Sequence, residues 1–147
     1  MSSTELISRS PEETLEIGRE LAMRIQPPML VLLSGDLGSG KTTFTKGLIS
    51  GLGAATEEEV TSPTFTLVHV FHNENRGMVY HVDLYRVEGC RDLETLALED
   101  ALAEPGVVII EWSERFALRS DWPRVSVQLE HLEGDTRRLK ITDSRST

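Results

Sequence analysis

The sequence predicts one α/β domain, a mixed β-sheet flanked by helices and closed by a C-terminal antiparallel hairpin. Three observations carry that reading. Residues 29–33 and 107–110 are short apolar runs without alternation, as in parallel strands covered on both faces. Helical spacing follows Ser10 and again follows Lys41. Near the end, Val125, Val127 and Leu129 alternate with polar residues, and Leu139 and Ile141 do the same beyond a Glu-Gly-Asp turn. A length of 147 residues fits a single domain over 1–147, since domains commonly run about 100–150 residues.

In chain order, Ser10-Pro11-Glu12-Glu13 reads as a helix start. Ser10 is the N-cap, Pro11 takes the first helical position and Glu13 closes a capping box. Leu15, Gly18, Ala22 and Ile25 recur at helical spacing, with Ile17 and Leu21 beside them. Gln26-Pro27-Pro28 is expected to stop this helix, because proline disfavours the helical conformation in the residue before it. The apolar strand 29–33 then runs through a glycine-rich turn into a helix over 41–50, ended by Gly51 and Gly53. Residues 56–59 read as an exposed acidic loop. Strands are predicted over 65–71 and 78–84, joined by a turn at 73–77. In the second, Tyr80, Val82 and Leu84 share one face while His81, Asp83 and Tyr85 share the other. Residues 91–103 read as a helix and 107–110 as a second buried strand with a polar residue at its end.

Composition narrows the function. Lys and Arg total 15 against 24 Asp and Glu, a formal charge of −9. A chain this acidic repels a phosphate backbone, so autonomous nucleic-acid binding is not expected. Arg137, Arg138 and Lys140 make a local basic cluster, but three charges are thin support for nucleic-acid binding. Cys90 is the only cysteine and cannot form an internal disulfide, which agrees with a reducing compartment. No apolar run approaches the roughly 20 residues that span a bilayer, and no basic segment leads into an apolar stretch at the start. A cytoplasmic protein with no membrane partner is expected.

The informative motif is Gly35-Asp36-Leu37-Gly38-Ser39-Gly40-Lys41-Thr42, which satisfies G-x-x-x-x-G-K-[ST] throughout. Glycines let the backbone take positive φ and turn its N–H groups around phosphates. The helix beginning near Lys41 adds N–H donors and the positive end of its dipole. Lys41 is expected to reach the β- and γ-phosphates, and the Thr42 hydroxyl to ligate Mg²⁺. A chance match would arise roughly once in a few hundred chains, and the strand-to-helix setting makes chance rarer still. The sequence therefore predicts a P-loop NTPase-like protein that binds ATP or ADP with Mg²⁺.

Hydrolysis needs a second anchor for the metal and a group that orients water. Glu111 ends the buried strand 107–110, and Asp83 lies near the end of its own strand; both are candidate metal and catalytic residues. Thr64, within Thr61-Ser62-Pro63-Thr64-Phe65, occupies a segment where a nucleotide switch would sense the γ-phosphate, although a proline turn explains the same residues. His69, His72, His81 and Asp83 fall on different turns and faces and make a poor zinc site. Trp112 follows Glu111 and is expected to pack on the opposite face. The chain lacks the Asn-Lys-x-Asp or Thr-Lys-x-Asp stretch that reads guanine.

With Thr43 added to the loop motif, and with Ser62-Pro63-Thr64-Phe65-Thr66-Leu67, His81-Val82-Asp83-Leu84-Tyr85-Arg86 and Glu111-Trp112, the chain resembles the TsaE (YjeE) family along nearly its whole length. That family comprises bacterial ATPases of tRNA threonylcarbamoyladenosine biosynthesis. The resemblance implies a cytoplasmic ATPase that acts on the TsaB–TsaD complex, and on tRNA only indirectly through that complex, which installs threonylcarbamoyl on adenosine 37 of ANN-decoding tRNAs. By the same resemblance, Thr42 and Glu111 would hold Mg²⁺, Asp83 would support the catalytic water or the metal, and residues 62–65 would be a switch-like loop. The family's N-terminal helix and C-terminal hairpin flank the adenine side, which puts Ser10 and Arg137 forward as contacts. A small-molecule P-loop kinase is the closest rival; it would need an acceptor pocket and a lid, for which Arg115 and Arg119 are the available arginines.

Overall fold

The computed structural model describes residues 2–35, 40–53, 68–73, 77–83, 106–111 and 122–143. Along the chain these form β1 (Ser2–Ser8), α1 (Pro11–Ala22), β2 (Met29–Gly35), α2 (Lys41–Gly51), β3 (Val68–Asn73), β4 (Gly77–Asp83), β5 (Val107–Glu111), β6 (Arg124–His131) and β7 (Arg137–Asp143). The strands make one mixed sheet in the order β1-β7-β6-β2-β5-β4-β3. Its centre is parallel: β2 lies between β5 and β6, and β4 adds to β5 in the same sense. β3 pairs antiparallel with β4, while β7 pairs antiparallel with both β6 and β1. Residues 91–103, expected to be helical, lie outside the described residues, as does the start of the strand expected from residue 65.

Burial follows from this layout. β5 is buried at every position, which is what a central parallel strand requires and what its unbroken apolar run encodes. On one face of the sheet Val31, Leu33, Ile109, Val127 and Ile141 meet Leu21 and Ala22 of α1 and Phe44 and Leu48 of α2 in one core. The C-terminal hairpin alternates as predicted, with Val125, Val127, Leu129, Leu139 and Ile141 buried and Gln128, Arg138 and Lys140 exposed. Its turn is closed by the Thr136 amide donating to the Glu133 carbonyl, with Gly134 at a φ of 56°.

The two helices press backbone against backbone. A Cβ on Gly18 would stand 2.9 Å from the Leu48 nitrogen, and one on Gly47 would meet the Leu15 carbonyl carbon at 2.9 Å. Glycine at these two positions lets α1 and α2 approach closely, which ties the helix after the glycine loop to the rest of the molecule.

Three expectations need correction. The sequence reading contained no strand before the first helix, yet β1 runs antiparallel along β7, Ser2 opposite Asp143 through Ser8 opposite Arg137. Its Ser-rich sequence has no strand pattern because most of it is exposed; Leu6 packs against the core and Ser8 is buried. Helix α1 ends at Ala22, ahead of the prolines. Beyond it the amides of Met23, Arg24 and Ile25 donate to carbonyls three residues back, a tightened last turn that delivers Ile25 into the core. The capping box is also displaced. The Glu13 amide donates to Ser10 Oγ at 3.1 Å as expected, but the Glu13 carboxylate accepts from the Arg9 amide at 2.6 Å, one residue before the cap.

Candidate functional site

The predicted loop stands where β2 gives way to α2. Gly35, the last residue of β2, has a φ of 144°, and Gly40, immediately before α2, has a φ of 99°. Both are conformations that residues with a Cβ rarely adopt, so the first and last glycines of the motif are required by backbone geometry. Asp36, Leu37, Gly38 and Ser39 lie outside the described residues. Lys41 opens α2, is only 6% exposed, and its ammonium donates to the Gly35 carbonyl six residues earlier. The charge is thereby folded back across the mouth of the loop. Thr42 and Thr43 follow in the first turn of α2, both half-buried.

The starts of the two helices differ in a telling way. α1 satisfies its own N-terminus, with the Ser10 hydroxyl as cap and Glu12 and Glu13 in the first turn. α2 has no side-chain cap at Gly40 and no acidic residue in its first turn. A helix start of this second kind, with a buried lysine beside it, suits an anion supplied from outside the chain.

Across the sheet, Glu111 and Asp83 occupy neighbouring positions. Glu111 ends β5 in register with Leu33 of β2 on one side and with Asp83 of β4 on the other. Both acidic positions therefore stand at the C-terminal ends of adjacent parallel strands, two residues below Gly35 in register. This is where ligands gather in open α/β sheets. Glu111 is 2% exposed, and its Oε2 lies 2.5 Å from Nε2 of the fully buried His81.

That histidine partner is what sequence reasoning missed. Period-two alternation places His81 and Asp83 on one face of a strand, and the sequence reading sets aside a zinc cluster, the only role it offers for His81. What joins His81 to Glu111 is the register between β4 and β5, in which His81 pairs with Ile109, and pairing between strands thirty residues apart has no local signal. Among the described residues no three His, Cys, Asp or Glu side chains converge on a metal position.

The other candidates divide. Arg137 stands beside Gly40 at the start of α2: with Pro11, Thr14, Gly40, Thr43 and Asp135 it lines a small cleft. Its Nη1 donates to the carbonyls of Gly134 and Thr136 at 2.9 and 3.2 Å, which anchors the arginine to its own hairpin turn. Ser10 is engaged as the α1 cap, and it is not among the residues lining that cleft. Thr64, Arg86, Trp112, Arg115 and Arg119 lie outside the described residues. The basic cluster does not act as one patch. Arg138 and Lys140 line a 440 Å³ groove on the sheet face away from α1 and α2, together with Glu5 and Glu130, and Arg138 lies 3.6 Å from Glu130. Arg137, of opposite alternation, faces the loop instead.

Comparison with known proteins finds relatives along most of the chain. The family described as "Threonylcarbamoyl adenosine biosynthesis protein TsaE" matches residues 8–139. A protein named tRNA threonylcarbamoyladenosine biosynthesis protein TsaE from Treponema pallidum is 36% identical over 135 residues, covering 92% of this chain and 97% of its own length. The protein of the same name from Streptomyces coelicolor is 40% identical over 123 residues, covering 82% and 81%. A crystal structure of Bacillus YdiB superimposes with a TM-score of 0.72 at 30% identity, over 97% of this chain and 86% of that one.

Proposed function

This chain belongs to the TsaE family of threonylcarbamoyl adenosine biosynthesis proteins, and from that premise we propose that it is a magnesium-dependent ATPase acting on the TsaB–TsaD complex in the cytoplasm. The observation that carries the nucleotide part is the start of α2, uncapped and free of acidic residues, with the Lys41 ammonium buried at the mouth of a glycine loop. Phosphate oxygens satisfy such a site, because they accept from first-turn N–H groups and neutralise the lysine. On binding, the Lys41 ammonium exchanges the Gly35 carbonyl for the β- and γ-phosphates.

The donor set also fits magnesium, which prefers oxygen ligands drawn from one or two protein side chains and the phosphates. The Thr42 hydroxyl, in the first turn of α2, and the buried Glu111 carboxylate are the residues that would hold it, with Asp83 beside Glu111 in register. Bound there, the ion would offset phosphate charge. The chain's own residues do the remainder: Glu111 and Asp83 hold and orient the attacking water, and the loop fixes the γ-phosphate against it.

Incubation with γ-labelled ATP, magnesium, the TsaB–TsaD complex and a pool of small-molecule acceptors tests the reading. Label recovered as inorganic phosphate supports an ATPase. Label recovered on an acceptor would replace it with a small-molecule kinase.

A further inference from the structure

We propose that His81 is a positioning residue for Glu111, holding one carboxylate oxygen so that the other is presented toward the phosphate loop. The inference rests on the reading of Glu111 given above. His81 is 0% exposed and Glu111 2%, and Nε2 lies 2.5 Å from Oε2. A glutamate at the end of a strand has three side-chain torsions to fix, and a buried carboxylate that lacks a donor is costly. An ionised carboxylate only accepts, so the imidazole donates its Nε2 hydrogen to Oε2. That bond leaves Oε1 uncommitted to His81 and selects one orientation of the group.

The placement of His81 suits this task. It sits in the interior of β4 level with Ile109 of β5, two residues before the Asp83–Glu111 pair, and Val79 and Ile109 around it are fully buried. It thus acts from the rigid part of the sheet on a residue at the sheet's end. Histidine and carboxylate recur together behind metal sites for this reason, the outer group setting the angle of the inner one; loss of such a partner typically costs about 10–100-fold in metal affinity or activity. The usual order is reversed here, with carboxylate inside and imidazole outside.

Two substitutions test it. His81→Leu keeps bulk and removes the donor, whereas His81→Gln carries an amide N–H near the position of the imidazole Nε2. Nucleotide affinity is measured by titration calorimetry with and without magnesium, and phosphate release is measured with the TsaB–TsaD complex. In the wild type, magnesium should tighten nucleotide binding. His81→Leu should leave metal-free affinity within about twofold and lose about 10–100-fold in magnesium dependence and in kcat, and His81→Gln should recover most of both losses. Wild-type magnesium dependence in His81→Leu overturns the inference. Should the leucine variant fail to fold, His81→Gln decides alone: folded with near-native magnesium dependence it supports the bond, and folded with a full loss it refutes it. Wild-type protein showing no magnesium effect at all would instead overturn the reading of Glu111, and the role of His81 with it.

Discussion

Lys41 is a cation held 94% out of solvent at a helix start that carries no acidic residue. Such a charge is stabilised only by strong acceptors, and in this structure the Gly35 carbonyl is one of them. Charge-assisted hydrogen bonds contribute about 1.5–3 kcal/mol each, so losing contacts to two phosphates should weaken ATP binding by at least about 100-fold. Calorimetry on Lys41→Ala checks this, and wild-type affinity would remove the phosphate-loop assignment. The carboxylates should behave differently. Glu111→Gln and Asp83→Asn leave the N–H cradle and Lys41 in place, so hydrolysis should fall far more than magnesium-free nucleotide binding. Phosphate release and calorimetry on the same preparations separate the two effects, and equal losses in both would contradict the assigned roles.

At the scale of elements, the loop is only as well placed as α2, and α2 is placed by its crossing with α1. Gly47→Ala shows which force governs that crossing. On an exposed helix the change would stabilise by about 1 kcal/mol through helix propensity. Here the added Cβ meets the Leu15 backbone, with its carbonyl carbon at 2.9 Å and its Cα at 3.1 Å, and backbone cannot move aside as a side chain would. Overpacking of about 1–3 kcal/mol outweighs the propensity gain, so the variant should melt at lower temperature and bind ATP more weakly as α2 shifts. A raised melting temperature would show that the helices do not touch this closely. The sequence revealed much of this scale but not all of it. Residues 29–33 and 107–110 were legible because a doubly covered strand must be apolar throughout, and the loop because its glycines meet a geometric demand. The edge strand β1 was not, since pairing with β7 forms it and little of its own pattern does. Gly18 and Gly47 looked like ordinary helix positions until the crossing gave them a reason. His81 was legible as a strand residue, but its burial and its partner are fixed by the packing and register of two strands far apart in sequence.

For the whole molecule, charge decides what kind of partner is suitable. A formal −9 disfavours gripping RNA, and the basic residues near the C-terminus do not offset it, because Arg138 and Lys140 share their groove with Glu5 and Glu130 while Arg137 turns to the loop. An acidic protein of this kind suits a basic groove on a tRNA-modifying complex, where it would compete with tRNA for the same ground. Efficient phosphoryl transfer also calls for a positive group at the transition state beyond the loop lysine, often an arginine supplied by a partner. On the proposed reading, ATP is turned over at this loop and the TsaB–TsaD complex makes turnover fast. The most direct measurement is steady-state phosphate release by the wild type and by Lys41→Ala, each with and without purified TsaB–TsaD complex. The wild type should be slow alone and rise by at least about tenfold with the complex, within the roughly 10³–10⁵-fold that an arginine supplied in trans can contribute, while Lys41→Ala stays at background in both. Full-rate hydrolysis by the isolated wild type, or stimulation that persists in Lys41→Ala, would contradict it.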